Sequence, residues 1–239
     1  MPALDHVYET PVEEGVLIKR YKRFLADVEL DDGRALTVHC ANPGSMRGCA
    51  EPGSRVRIRD SGNAKRKLPH NLEQIRAGRT WVCVNTAVAN RVVGSALARD
   101  AIAPLAGYTT IRPEVADGAG SRLDFLLEGD RGRCWVEVKS TTLKSGREAQ
   151  FPDAVTARGL KHLGALAELR AAGDRTVMLY LLGRGDVDTF RPAWTIDPAY
   201  AEGLARAHAA GVEIVPVRSI ITARGVGAGL ILPYDLAHV

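Results

Sequence analysis

Residues 121–140 read SRLDFLLEGDRGRCWVEVKS, two apolar runs joined by Gly129-Asp130-Arg131-Gly132, the pattern of a β-hairpin. Taking those four residues as the loop pairs Glu128 with Arg133, and counting back pairs Asp124 with Glu137 and Arg122 with Lys139. Side chains alternate between faces along a strand, so Asp124, Glu137 and Lys139 are expected on one face. Leu123, Phe125 and Leu127 are expected on the other, opposite Val138, Val136 and Cys134. Two carboxylates directly across a strand pair repel unless a cation or a proton lies between them. The hairpin therefore predicts a divalent-metal site on its polar face.

Hard divalent cations favour oxygen ligands, which makes Asp124, Glu137 and the Val138 carbonyl the candidate ligands of Mg²⁺ (or Mn²⁺), with waters retained. A carboxylate pair alone would suit acid–base hydrolysis. Lys139, two residues beyond Glu137, turns the reading toward phosphate chemistry, where it would orient water or offset charge on the phosphate. The plain alternative is an exposed sheet edge with surface ion pairs of little energetic consequence. Glu114, from the preceding strand, is a secondary acidic candidate.

Around the hairpin, the order of signals is that of an α/β unit: a helix after Asn85-Thr86, a strand at Tyr108–Glu114, the hairpin, a helix over Asp153–Ala172, a strand at Thr176–Leu182, a helix opened by Asp197-Pro198, and strands at Val212–Val217 and Gly229–Leu232. Asp153 is the expected cap of the second helix, Gly173 its stop, and Val155, Leu163, Leu166 and Leu169 its core side. Upstream, Val16–Tyr21, Phe24–Leu30, Ala35–Cys40, Arg55–Arg59 and Thr80–Val84 are short strands between Gly- and Pro-containing turns. Five such strands predict an OB-like barrel, a fold that commonly binds nucleic acid. The expected domains are residues 1–86 and 87–239.

The 239 residues carry a formal charge of +4, unevenly placed: residues 15–79 hold fourteen Lys or Arg against seven Asp or Glu. That surplus points to a polyanionic partner. The candidate nucleic-acid contacts are Lys19, Arg20, Lys22 and Arg23, interleaved with Tyr21 and Phe24, then Arg47 and the loop cluster Lys65, Arg66 and Lys67. A solvated basic surface with the two aromatics in the core is the bland alternative. No apolar run has the length of a membrane span and no secretory signal is visible, so a cytoplasmic protein with no membrane partner is expected. Cys40, Cys49, Cys83 and Cys134 lack metal or redox spacing and are expected as buried free thiols. No glycine-rich phosphate loop or nucleotide fingerprint supports direct action on a sugar phosphate. A homodimer is compatible with the sequence and not fixed by it.

Asp124 followed by Glu137-Val138-Lys139 resembles the signature of the PD-(D/E)XK nuclease superfamily, with Leu123 in place of the usual proline. Over nearly its whole length the chain resembles the sugar fermentation stimulation protein A family. The resemblance is carried by LIKRYKRFLADVEL, HCANPGSM, RKLP, VNTAVANR, GYTTIRPEV, SRLDFLLE, CWVEVKSTTL, FPDAVTARGLKHL and AGVEI. It implies an OB-like domain followed by a PD-(D/E)XK-like mixed sheet flanked by helices, in a protein linked to DNA binding and described as a sugar-metabolism regulator or a nuclease. By position it implies Asp124, Glu137 and Lys139 as the centre, and the motif TARGLKHL adds Arg158, Lys161 and His162, which helical spacing places toward the phosphate side. Two functions follow as expectations: a Mg²⁺-dependent nuclease acting on DNA or RNA, or a non-catalytic DNA-binding regulator. Members of the wider superfamily often carry an acid on the first helix, and Val88–Arg99 contains none. Either one metal suffices, or Glu114 substitutes.

Overall fold

The computed structural model describes residues 3–118 and 120–238, so the outermost residues of both expected domains lie outside it. A two-residue strand β1 (His6–Val7) precedes β2 (Val12–Tyr21), β3 (Leu25–Leu30), β4 (Ala35–His39), β5 (Arg55–Asp60), β6 (His70–Ala77) and β7 (Thr80–Cys83). β2 to β7 hydrogen-bond in the order β4-β3-β2-β5-β6-β7, and a pairing of β4 with β6 at His39 and Asn71 closes five of them into a barrel. Alternating inward residues, among them Leu17, Val28, Val38, Val56, Ile58, Leu72 and Ile75, fill it.

The barrel's fifth strand is β6, where the sequence pattern points to Thr80–Val84. Residues 70–77 escape a hydrophobic reading because two of their buried side chains are Glu73 and Gln74. Glu73 accepts hydrogen bonds from Arg59 (3.1 Å) and Asn85 (2.8 Å) inside the protein. A strand whose buried positions are polar and internally paired carries no alternation signal.

The rest of the chain runs α1 (Val88–Ala98), β8 (Thr110–Ala116), β9 (Arg122–Gly129), β10 (Gly132–Thr141), β11 (Lys144–Ser145), β12 (Glu148–Phe151), α2 (Ala157–Ala171), β13 (Arg175–Leu182), β14 (Thr189–Pro192), α3 (Pro198–Ala209), β15 (Glu213–Thr222) and β16 (Gly225–Ile231). A mixed sheet forms in the order β1-β16-β15-β13-β10-β9-β8, with β10, β13 and β15 mutually parallel. β1 thus joins the far edge of the second sheet. α1 packs Val92, Val93 and Ala96 into one cluster with Phe125, Leu127, Val136 and Leu179. α2 and α3 pack Leu163, Leu166, Tyr200 and Leu204 into another with Leu126, Trp135, Met178 and Tyr180. The sheet is covered on both faces, which is why β13 is an almost unbroken apolar run.

The hairpin keeps its expected register, Glu128 opposite Arg133 and Phe125 opposite Val136. Its loop shortens to Asp130 and Arg131, because Gly129 pairs with Gly132, whose φ of +81° suits glycine. The β9–β10 ladder ends at Phe125 and Val136, so the expected pairs Asp124–Glu137 and Arg122–Lys139 do not form. Beyond that point β9 stays with β8 while β10 continues along β13 to Thr141. Leu123 accordingly joins Leu126 and Trp135 in the α2–α3 cluster rather than the α1 cluster.

Helix α2 starts later than Asp153. Its cap is Thr156, whose hydroxyl accepts from the Gly159 N–H (3.0 Å), and Val155 is 77 % exposed instead of buried. Asp153 is committed elsewhere, to the barrel.

Candidate metal centre

The strands diverge at the point where the polar residues begin, and the gap they leave is the site. Asp124 sits on β9 just past the last pair, and Glu137 and Lys139 lie on β10, where β13 holds the strand on its other side. The Asp124 carboxylate bridges the gap, accepting from the Val138 N–H (2.8 Å) and from Asn90 Nδ2 on α1 (2.7 Å). Asn90 is a polar side chain that α1 brings to the gap. It lies in VNTAVANR, as a polar residue amid the apolar face of α1, and that misfit is the signal the sequence offered.

Glu137 is 2 % exposed. Its Oε1 accepts from Lys139 Nζ (2.5 Å) and contacts His162 Nδ1, while its Oε2 is buried without any hydrogen-bond partner. Buried carboxylate oxygens are seldom left unpaired, since stranding one costs about 1–3 kcal/mol. Arg158 Nε lies 3.4 Å from His162 Nε2. Lys139 Nζ lies 3.3 Å from His162 Nδ1, so a lysine, a histidine and an arginine stand together beside the Glu137 carboxylate. His162 is thus part of the centre rather than a packed core residue.

Electrostatics divide the two acids. Burial, then the neighbouring Glu137 charge, raises the Asp124 pKa to about 6. Burial pushes Glu137 upward too, but the His162 hydrogen bond and the Lys139 ammonium outweigh it and hold the carboxyl below its ordinary value. Two carboxylates thus stand close together, one with a raised pKa and the other with an unpartnered buried oxygen. The residues therefore fit an oxygen-seeking cation: Asp124 and Glu137 supply charged oxygens, and the Val138 carbonyl is the third candidate. Among the described residues no group of three or more His, Cys, Asp or Glu side chains is placed to hold a metal ion. Two carboxylates with most positions left to water is an arrangement suited to Mg²⁺.

The cavity around the centre measures about 550 Å³ and takes walls from both halves of the chain: Asn90, Asp124, Glu137, Val138, Lys139 and Arg158 on one side, Arg23, Asn42, Pro43 and Gly44 on the other. The barrel loop is seated by Asp153, which accepts from the Met46 N–H (2.9 Å) and receives the Ser45 hydroxyl at its carbonyl (2.7 Å). A Cβ on Gly44 would lie 2.5 Å from both Asp153 carboxylate oxygens, so only glycine admits this approach.

Other candidates are placed differently. Glu114 is exposed, with a left-handed backbone (φ +53°), and does not line the cavity. Lys161 is exposed and donates to the Gly120 carbonyl (3.0 Å). Arg20 is a brace: it donates to the carbonyls of Arg23 (2.9 Å), Asn42 (2.8 Å) and Gly44 (2.9 Å). Lys19 pairs with Asp27 at 3.5 Å. Lys22, Arg23, Arg47, Lys65 and Lys67 are exposed, and Arg66 lines a second cavity. Phe24 is 46 % exposed rather than in the core, stacked on His39. The four cysteines are buried and free. Among the described residues no helix is long and apolar enough to cross a membrane.

A family model described as "SfsA N-terminal OB domain" matches residues 18–84, and one described as "Sugar fermentation stimulation protein RE domain" matches residues 87–225. The chain is 50 % identical to the sugar fermentation stimulation protein homolog of Geobacter sulfurreducens, over 89 % of this chain and 91 % of the relative. It is 46 % identical to the Aeromonas hydrophila homolog over 98 % and 97 %. A solved structure described as "The structure of Pyrococcus Furiosus SfsA in complex with Ca2+" superposes with a TM-score of 0.89 at 24 % identity, covering 98 % of this chain and 100 % of that one.

Proposed function

The chain belongs to the sugar fermentation stimulation protein family, and from the centre it carries we propose that it is a divalent-metal-dependent nuclease hydrolysing phosphodiester bonds in DNA or RNA. The observation that carries the reading is the buried, unpartnered Glu137 Oε2 beside an Asp124 whose pKa is raised, with Lys139 at the same gap. The Ca²⁺ in the description of the structurally similar protein supports a divalent cation for this fold.

Asp124 and Glu137 would hold the ion, with the Val138 carbonyl as the third ligand. When bound, it would supply Lewis acidity at a phosphodiester oxygen and acidify the attacking water. The side chains arrange the rest. Lys139, 13 % exposed at its side chain, offers its Nζ beside Glu137 and counters charge that grows on the phosphate as the water adds. His162 contacts Glu137 Oε1 through Nδ1 and so holds one side of the carboxylate, whose Oε2 is buried without a partner. Arg158 orients His162 from the cavity side. Arg23, on the barrel hairpin, adds a cation at the opposite wall, where a strand's flanking phosphate would lie.

The test is cleavage of single- and double-stranded DNA and RNA with Mg²⁺ or Mn²⁺. The wild type is expected to cut, and Glu137→Gln and Lys139→Met each to lower the rate by about 10²–10³-fold. Substrates left intact in every condition, or equal cutting by the variants, would refute the nuclease. Salt-dependent DNA binding without metal, untouched by Asp124→Ala, would instead identify a non-catalytic DNA-binding protein.

A further inference from the structure

A second cavity, of about 390 Å³, adjoins the metal centre at Ala87. Its volume lies within the ~300–1,000 Å³ range of small-ligand sites. Three guanidiniums converge on it from separate elements: Arg59 on β5, Arg66 in the β5–β6 loop and Arg91 on α1. Arg59 is 7 % exposed and is aimed by Glu73 (3.1 Å) and the Asp60 carbonyl (3.2 Å). Arg66 is held by the Asn71 amide oxygen (3.0 Å), without a carboxylate partner. Among the described residues Arg91 has no hydrogen-bond or ion-pair partner.

Two imidazoles, His6 and His39, complete the walls. His6 Nε2 and His39 Nδ1 are buried with no hydrogen-bond partner. One acid, Glu9, also lines the cavity, and Glu73 faces Arg59 from behind it. Burial first, then the Arg91 and Arg59 charges, lowers the His6 pKa against the opposing pull of Glu9, so the field at His6 is net positive. Three guanidiniums, of which Arg59 is paired with Glu73 while Arg66 and Arg91 have no carboxylate partner, gather with two imidazoles around one cavity, a lining whose chemistry suits an anion.

We propose that this cavity binds the phosphate group of a nucleotide, as an anchor separate from the Asp124–Glu137 centre. Phe24 favours a nucleotide over a bare anion. It stacks on His39 (ring centroids 6.4 Å apart, 12° between planes), remains 46 % exposed, and follows Arg23 of the metal cavity in sequence. An open aromatic face next to Arg23 of one cavity and stacked on His39 of the other suits a base. The assignment does not require that the metal centre cuts.

The experiment follows the arginine Nε–Hε signals of the full chain by NMR in the presence of a chelator, at ionic strength fixed with chloride. Inorganic phosphate, a nucleoside 5′-monophosphate and a short 5′-phosphorylated single strand are titrated in turn. Saturable shifts at Arg59, Arg66 and Arg91 are expected. Arg66→Gln and Arg91→Gln should each weaken binding about tenfold, as loss of one charge-assisted contact does, and Arg79→Gln, on the β6–β7 turn, should not. Response to all three probes marks a site for free phosphate esters; response to the strand alone marks a backbone anchor. Equal shifts with added chloride, or unchanged affinity in both variants, would overturn the site. Because the readout is metal-free binding, a nuclease-dead protein with Arg91-dependent binding separates this proposal from the catalytic one.

Discussion

At the scale of single residues, the cost of the centre is concentrated in Asp124. Its folded pKa of about 6 lies above the ordinary carboxylate value, so the folded state holds the proton more tightly than the unfolded chain. Its contribution to stability is therefore full below pH ~4 and is lost as pH rises through ~6, a penalty of roughly 2–3 kcal/mol above that. Asp124→Asn removes the penalty but forfeits one of the two hydrogen bonds accepted from Asn90 and Val138. In chelator at pH 8 this variant should be more stable than wild type by about 1–2 kcal/mol in urea melts, and the gain should vanish or reverse at pH 4. A difference independent of pH would show that Asp124 is not charged against burial. With Mg²⁺ added the order should invert, because only the wild type gains binding energy from the ion.

At the scale of elements, the coupling that matters runs between the 42–46 loop and Asp153. Gly44→Ala drives a methyl into the Asp153 carboxylate, and a loss of about 1–3 kcal/mol is expected from overpacking. Combined with Asp153→Ala the loss should be less than additive, since the second change removes the clashing group. Additive losses in a double-mutant cycle would mean that the loop and the α2 approach are independent. Divergence of β9 from β10 is the other element-scale device. It lets β10 keep its ladder to β13 while freeing the edge that faces Asp124.

At the scale of the whole molecule, the barrel contributes fewer free cations than its composition suggests. Arg34, Arg55, Arg57 and Arg59 are paired with Glu13, Asp31, Glu14 and Glu73. What remains near the centre is the β2–β3 tip, Lys22 and Arg23, both in left-handed backbone and exposed. Lys22→Gln/Arg23→Gln should weaken nucleic-acid binding evenly across sequences and reduce the slope of log K against log salt by about 1–2. An unchanged slope, measured by anisotropy over a salt series, would place the strand elsewhere on the barrel.

Local chemistry made much of this legible. Period-two alternation in 121–140 is a property of the backbone, so the hairpin register from Gly129–Gly132 to Phe125–Val136 follows from the sequence alone, whereas the pairs expected beyond it do not form. The apolar run of β13, the helix start after Thr86 and the helix opened by Asp197-Pro198 are equally local. What the fold alone decided depends on contacts far apart in the chain. His162 reaches Glu137 across 25 positions, Asn90 reaches Asp124 across 34, and Asp153 receives Met46 across 107. Nor does any spacing reveal that β6 hides a paired glutamate, that Arg20 spends its donors on carbonyls, or that β9 leaves β10 at Phe125. Strand alternation assigns a side chain to a face; which partner waits on that face is fixed by how the sheet, α1, α2 and the barrel close together. The sequence marked two carboxylates and a lysine on one hairpin as candidates, because residue type and strand spacing are local; tertiary packing decided that they border a gap with a histidine, an asparagine and the barrel's own loop, because the strands part there and distant elements close around them.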